Sequence, residues 1–418
     1  MTPKRVLFII RSYPPDGIGG AMRSTQALAE GLAQRGHDVH VLRLAAKGRT
    51  EEMKALAENA GVTGPGKPTL HILPIRNVYW PYDSSSHSKF AKTLWHALDL
   101  HNPFAARDLR RFLADLRPDV VNTSVIDGFS PSILREIRRS GARLIHTMRD
   151  YYLICARSGM FRDGHSCETL CGSCKLVRNV NRAHTRHVDL FLSNSAFVAE
   201  QHRAQGVFAA DKPCAVQWNI NDLPMERAPH LPAPDKIVFG FIGRLAPTKG
   251  LEKLIEAARL MPAAGRPWEV RIAGGGGDAY VASLKAQARD LPNVHFLGWS
   301  DPTVFNRQVD VVICPSVYHE PLPRVIYEAY GFARPVIASD VGGNPEVVQD
   351  GRTGFLYPAQ DPGALAARMH RFRDMPDETF TALSTAARAF GAHFTADAVF
   401  DSFETHFALA DEKPEALI

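Results

Sequence analysis

Two pairs of charged residues in the second half of the chain stand at spacings that suit one piece of chemistry. Glu320 and Glu328 are eight positions apart, with Pro321 and Pro323 between them. A helical stretch from about Pro323 to Phe332 would separate the two carboxylates by roughly 12 Å. A helix N-terminus between them favours a phosphate, because its free N–H groups and its dipole both attract an anion. One carboxylate could then hold sugar hydroxyls and the other ribose hydroxyls, with a diphosphate between. The second pair is Arg244 and Lys249, five positions apart in GRLAPTKG. On a strand-to-helix turn, two such cations can stabilise a diphosphate as it leaves.

Weaker signals lie elsewhere. Gly17, Gly19 and Gly20 precede an apolar helical pattern, and glycines there let backbone approach a ligand closely. Gly274 to Gly277 form a similar run after a strand, and Gly243 opens the turn that carries Arg244. A strand ending in His146-Thr147-Met148-Arg149-Asp150 offers three polar groups to a ligand. Arg149 and Asp150 are the favoured pair, Arg149 because it suits a negatively charged ligand, whereas His146 also suits the core. Four of the six cysteines, Cys155, Cys167, Cys171 and Cys174, fall within twenty residues. Their spacing fits a closed four-thiolate zinc site, with an iron–sulfur cluster or free thiols as the alternatives.

These groups need elements to hold them. Apolar runs at Val6–Ile10, Val39–Leu44, Leu70–Ile75, Val120–Thr123, Leu144–Thr147, Leu190–Ser193 and Ala215–Trp218 read as strands,. Helical patterns intervene at Ala21–Gln34 and from Ala196, and one long amphipathic helix is expected over about Ser88–Leu116. Pro224, Pro229, Pro232 and Pro234 mark a linker,. Beyond it, runs at Ile237–Ile242, Glu269–Ala273, His295–Leu297, Val311–Ile313 and Pro335–Ala338 repeat the strand–helix alternation. The expected division is 1–225, 226–394, and a terminal helix within 395–418 that crosses back to the first domain. The alternation predicts an α/β chain of doubly wound sheets, which bind ligands at the carboxyl ends of their strands.

The second half resembles the retaining family 4 glycosyltransferases of the GT-B fold. Glu320-Pro321, Glu328-Ala329, Pro335-Val336-Ile337-Ala338 and Gly342-Gly343 follow the family order, and GRLAPTKG carries its cationic motif. The resemblance implies two Rossmann-like domains facing across a cleft, acceptor on the first and donor on the second. It implies transfer of a sugar, with retention, from a nucleotide diphosphate sugar (UDP or GDP type) to a hydroxyl, without a catalytic divalent metal. Glu320 would orient the donor sugar, Glu328 hold the ribose, Arg244 and Lys249 stabilise the leaving diphosphate, and Gly19 and Gly20 face the donor. The strand ending at Leu297 resembles the segment that meets the base. Two departures stand out. Leu322-Pro323-Arg324 replaces the usual Phe-Gly-Leu. Pro323 has no N–H to donate, so a diphosphate must use nearby amides, as at Leu322 and Val325, or Arg324. Arg149 occupies the position of the family's frequent histidine. Those departures leave open a nucleotide-sugar-binding protein without turnover. Acceptors implied are a cell-surface polysaccharide, a glycolipid or a small molecule.

Composition narrows the field. At 418 residues and 45% hydrophobic content the chain can bury two cores,. The start passes straight into a strand, and no run reaches the roughly 20 apolar residues of a membrane span, so a cytoplasmic protein is expected. The net charge of +5 is gathered in the first half. That balance suits an anionic acceptor or peripheral contact with an anionic membrane. The loop Tyr79-Trp80-Pro81-Tyr82 and residues Phe90, Trp95 and Phe104 are candidates for that contact. The positive charge is too scattered for nucleic acid. A dehydrogenase reading fails because the second strand ends in Arg43-Leu44, without the acidic residue a nicotinamide cofactor's ribose requires.

Overall fold

The computed structural model describes residues 2–16 and 19–408; Gly17 lies outside them, as do residues 409–418 of the expected terminal segment. The chain forms two compact units. Of the described residues, the first comprises 2–16, 19–159, 169–220 and 399–408, and the second 160–168 and 221–398.

The first unit is built on a seven-stranded parallel sheet. Its strands are β1 (Arg5–Ile9), β2 (Asp38–Ala45), β3 (Thr69–Pro74), β4 (Val120–Thr123), β5 (Arg143–Met148), β8 (Leu190–Ser193) and β9 (Cys214–Val216). Their order is β3-β2-β1-β4-β5-β8-β9. Between β5 and β8 a short antiparallel hairpin, β6 (Phe161–Arg162) and β7 (His165–Ser166), groups with the second unit. Helices α1 (Gly20–Gln34), α2 (Thr50–Asn59), α3 (Lys89–Leu100), α4 (Pro103–Leu116), α5 (Ile133–Arg139), α6 (Gly172–Thr185) and α7 (Ala196–Ala204) surround the sheet. β4, β5 and β8 are buried at nearly every position, polar residues such as Asn122, Thr123 and Thr147 included, as expected of parallel strands covered on both faces. Phe400, Phe403 and Phe407 of the terminal helix Ala396–Ala408 join the core formed by Val6, Phe8 and Leu32.

The expected single helix over Ser88–Leu116 is two. α3 stops at Leu100 and α4 starts at Pro103. Proline disfavours helical backbone in the residue before it, and the Asn102 side chain caps the new helix by accepting from the amides of Phe104 and Ala105 at 3.1 and 3.0 Å.

The second unit repeats the plan with six parallel strands: β10 (Ile237–Ile242), β11 (Trp268–Ala273), β12 (Val294–Gly298), β13 (Val311–Cys314), β14 (Val336–Ser339) and β15 (Gly354–Tyr357). The order is β12-β11-β10-β13-β14-β15. In both sheets the order turns back beside the first strand, creating the switch point at which such sheets bind ligands. Helices α8 (Leu251–Leu260), α9 (Asp278–Gln287), α10 (Pro302–Arg307) and α11 (Arg324–Gly331) follow successive strands. The loops after β10, β13 and β14 leave the carboxyl ends of three neighbouring strands, and they carry the residues singled out above.

Candidate active site

In the second unit the site is built around Glu320, in the loop between β13 and α11. Its side chain is only 9% exposed, so its charge must be met by the protein. Lys249, in the loop after β10, places Nζ 2.7 Å from both carboxylate oxygens. Ser316 Oγ donates to Oε2 at 2.7 Å and the Tyr318 hydroxyl to Oε1 at 3.1 Å. Lys249 also sits over the Tyr318 ring, 5.6 Å from its centre. Three donors therefore hold one carboxylate in a fixed orientation.

The backbone is tied as firmly. Gly343 N donates to Glu320 O at 2.8 Å. Gly342 has φ +60°, and a Cβ there would lie 2.2 Å from Glu320 O. Only glycine allows the β14 loop to lie against the Glu320 loop in this way. The loops after β10 and β11 meet similarly: Gly274 has φ +132°, and a Cβ on it would lie 1.8 Å from Gly243 O. Gly243 N and Leu245 N donate to Ala273 O and Gly275 O, which fixes the turn that presents Arg244. Arg244 is exposed.

Glu328 lies in α11, 4% exposed. Arg324 Nε donates to its Oε1 at 3.0 Å and Arg324 also bonds Asp222. Burial alone would lower the pKa of this guanidinium, but Tyr327, Glu328 and Asp222 outweigh it and keep the charge in place. Leu322 is buried, Val325 is half-buried, and Leu297 is 41% exposed at the end of β12. The sheet thus brings Glu320 and Lys249 into direct contact and places Glu328 with Arg324 one element away.

In the first unit, Arg149 and Asp150 follow the carboxyl end of β5, and Arg149 donates to Asn219 Oδ1. Asp150 accepts from Tyr152 N at 2.9 Å. Burial pushes its carboxyl up to about 6 against that hydrogen bond, with Asp127 adding to the rise. Asp127, beyond β4, is ion-paired to Arg11, beyond β1, so the ends of three adjacent strands meet here. His146 is not with them. It lies within β5, 3% exposed, with Nδ1 2.8 Å from Thr123 Oγ1 and its ring against Phe191. Burial and the neighbouring His202 drive its pKa down to about 3, leaving a neutral core imidazole.

Gly19 is the N-cap and Gly20 the first residue of α1, with no side-chain cap and no acidic residue in the first turn. The approach to α1 is held by Arg43, fully buried in β2, which donates to Tyr13 O at 2.6 Å and pairs with Asp16. A lone arginine in an apolar run was the only sequence signal for that anchor, as Ser316 and Tyr318, four and two places before Glu320, were for the hydrogen-bond partners of that glutamate.

The cysteines do not form a closed four-thiolate shell. Among the described residues no group of three or more His, Cys, Asp or Glu side chains is arranged to hold a metal ion. Cys174 interacts with both Cys155 and Cys171; Cys167 follows the hairpin, in the segment that groups with the second unit.

Residues 224–390 match the family described as glycosyl transferases group 1, and residues 19–216 match the glycosyl transferase 4-like domain. An uncharacterized 42.6 kDa protein in the cps region of Klebsiella pneumoniae is 29% identical over 342 residues, 82% of this chain and 87% of that protein. The fold is similar to that of Anabaena HepE in complex with UDP and glucose, with a TM-score of 0.68 at 18% identity over 97% of this chain and 100% of that one. It is also similar to the lipopolysaccharide outer core galactosyltransferase WaaB, with a TM-score of 0.67 at 16% identity, covering 98% and 100% of the two chains. Two parallel-sheet units, strand-end loops that converge on one ion-paired glutamate, and family matches over both units have one reading: the chain belongs to the group 1, family 4-like glycosyltransferases of the GT-B fold.

Proposed function

We propose that the protein transfers a hexosyl group from a nucleotide diphosphate sugar to an acceptor hydroxyl with retention of anomeric configuration. The observation that carries this reading is the Glu320 carboxylate held by Lys249, Ser316 and Tyr318 at the ends of β10 and β13. A carboxylate fixed in this way can accept from donor-sugar hydroxyls without reorganising, which is where preorganised sites gain their rate. Lys249 then faces both the glutamate and the diphosphate oxygens, and Arg244, exposed on its turn, adds the second cation. Together they stabilise negative charge as the glycosidic bond to phosphate breaks. Glu328, steadied by Arg324, accepts from the ribose hydroxyls. The amides of Leu322 and Val325, with those of Gly19 and Gly20 at the uncapped start of α1, are the backbone donors for the diphosphate; Gly243 and Gly274, whose own amides are taken by Ala273 O and Gly298 O, let the backbone approach it closely,. Leu297 lies along the base. Arg149 meets the negative charge of the donor, Asp150 stands beside it, and His146 supports β5.

UDP is the first base to test, because the similar HepE structure holds UDP and glucose; GDP is the second. A cell-surface glycan precursor is the proposed acceptor, supported by the likeness to a lipopolysaccharide core galactosyltransferase. Work at the cytoplasmic face of a membrane is proposed with it. No helix among the described residues is long and apolar enough to cross a membrane.

The experiment is a thermal-shift series with UDP, GDP, ADP, CMP, dTDP and their sugars, followed by a transfer assay with any responder. A ligand at 100 times its Kd stabilises by about 2.7 kcal/mol, a shift of several degrees. A single responding base whose sugar is transferred supports the proposal. No response from any nucleotide, or binding without transfer to any glycan acceptor, overturns it.

A further inference from the structure

The start of α6 holds a pair of thiols that the proposed transfer does not use. Cys171 is the N-cap of α6 and Cys174 stands in its first turn, with Gly172 and Ser173 between them. The two differ in access: Cys171 is exposed to solvent and Cys174 is buried. Residues three apart at a helix start have Cα atoms about 5 Å apart, inside the roughly 4.4–6.8 Å that a disulfide spans. The two thiols are already in hydrogen-bond contact.

The surroundings make the exposed thiol the reactive one. Ser173 Oγ lies 3.2 Å from Cys171 Sγ. That hydroxyl first, then the amide and the thiol of Cys174, stabilise the thiolate and bring its pKa down to about 7, against the opposing effect of burial. α6 has no acidic residue in its first turn, so no carboxylate there opposes the preference of the helix dipole for an anion. A thiol that ionises near ambient pH is the best attacking group in disulfide exchange. Cys174 is set the other way. Burial first, and then Cys155 and Cys171, raise its pKa, which keeps it a protonated thiol out of reach of solvent. An accessible, readily ionised thiol beside a buried resolving thiol is the arrangement of a redox-sensing pair. Cys214 and Cys314, whose pKa values burial raises, stand alone in β9 and β13.

A third thiol lies behind the pair. Cys174 also contacts Cys155, which is buried in the turn that starts at Tyr151. That turn is tied to α6 by Asn181 Nδ2, which donates to Leu153 O at 3.1 Å. Of the three thiols, Cys171 alone is exposed, so an external reagent must begin there, and Cys174 is the neighbour that can answer.

We propose that Cys171 and Cys174 form a reversible dithiol–disulfide modification site that exchanges with small-molecule disulfides of the glutathione type. The Cys171 thiolate attacks one sulfur of the small disulfide; a mixed disulfide forms on Cys171 and one small thiolate leaves. The Cys174 sulfur then attacks Cys171 Sγ, the internal bond closes, and the second small thiol leaves carrying the Cys174 proton. Two electrons pass from the protein dithiol to the small disulfide, which becomes two thiols. Excess small thiol runs the same steps backwards. At the cytoplasmic location proposed above, such a bond is transient and follows the redox state around it.

The test uses the full chain, reduced and then freed of reductant, with no nucleotide or sugar present, so its outcome is independent of the donor reading. Oxidised glutathione is added, remaining thiols are alkylated, and peptide mass spectrometry maps the bonds. A Cys171–Cys174 disulfide, opened again by reduced glutathione, is expected. Cys174→Ser is expected to stop at the mixed disulfide, with glutathione left on Cys171. Cys171→Ser, a change at an exposed position, is expected to slow the reaction by about tenfold or more. In the unmodified chain, alkylation of Cys171 is expected to precede that of the other thiols and to reach half its maximal rate at about pH 7, a measurement that needs no variant. A Cys155–Cys174 bond in its place, no disulfide at all, or an unchanged rate in Cys171→Ser overturns the proposal. So does a metal ion found on these thiols by elemental analysis of the purified chain, which would make them ligands and not a redox pair.

Discussion

Lys249 Nζ lies at equal distance, 2.7 Å, from the two carboxylate oxygens of Glu320. The pair joins loops from two neighbouring strands, β10 and β13, so it is both a structural tie and the polar centre of the site. Lys249→Ala leaves a largely buried carboxylate with only hydroxyl donors. Breaking such a pair from one side costs up to about 3–5 kcal/mol, whereas neutralising both partners is far less costly. Lys249→Met combined with Glu320→Gln is therefore expected to melt closer to the wild type than Lys249→Ala does. Both are expected to lose transfer activity by on the order of 100-fold or more, the usual effect of removing one preorganised charge-stabilising group. Melting curves and a transfer assay on the same preparations check this. Recovery of activity along with stability would mean the pair serves only the fold.

Gly342→Ala tests the contact from the other side. The new Cβ would meet the Glu320 carbonyl at 2.2 Å on a backbone with φ +60°. Strain of about 1–2 kcal/mol from the left-handed conformation adds to that clash, and the cheapest relief is movement of the Glu320 loop. The variant is expected to melt several degrees lower and to lose nucleotide-sugar affinity although no ligand-facing side chain has changed. An unaltered donor affinity would show that the Glu320 loop does not set it.

Arg149 and His146 separate role from neighbourhood. Arg149 lies past the end of β5 and His146 inside it, hydrogen-bonded to Thr123. Arg149→Ala is expected to lower turnover at least tenfold with a small change in melting temperature. His146→Gln, which can keep a bond to Thr123, is expected to do the reverse: lower stability by about 1–2 kcal/mol with turnover within twofold. Steady-state kinetics beside thermal melts decide it, and a large loss of turnover in the histidine variant would restore it to the site.

The strands were readable because parallel strands covered on both faces leave short, mainly apolar runs between helical patterns, and Leu190–Ser193, Ile237–Ile242 and even Val120–Thr123, with two polar residues, stand where their runs predict. Glycines that precede charged motifs were readable for a steric reason, since Gly342 and Gly274 occupy places no side chain can. What could not be read is pairing at a distance. Nothing in the spacing of Lys249 and Glu320 says that the cation expected to meet the diphosphate also neutralises the glutamate. Nor does an arginine in β2 declare that it will anchor Tyr13 and Asp16. The break between α3 and α4 was present in the sequence as Asn102-Pro103, but the amphipathic pattern runs through it and masks a local rule. The cysteines gave a metal-like spacing, yet spacing along the chain does not fix where thiols stand in space, and among the described residues no three His, Cys, Asp or Glu side chains are arranged to hold a metal ion.

A buried acid outside the proposed chemistry gives a prediction in pH. Asp99 accepts from Tyr152 OH and from Gly128 N, both at 2.6 Å. Burial first, and then the nearby Asp127, raise its carboxyl to about 7, the two hydrogen bonds and Arg11 opposing. In the unfolded chain the same group titrates near 3.9. Between those values the folded state binds the extra proton, so stability from this site is full below about pH 4 and falls as pH rises towards 7. Asp99→Asn keeps an acceptor for Gly128 and removes the ionisation. It is expected to melt close to the wild type at pH 5 and a few degrees above it at pH 8. Thermal melts of the two proteins at both values measure the difference directly. An equal gap at pH 5 and pH 8 would mean that Asp99 ionises in the folded protein as readily as in the unfolded chain.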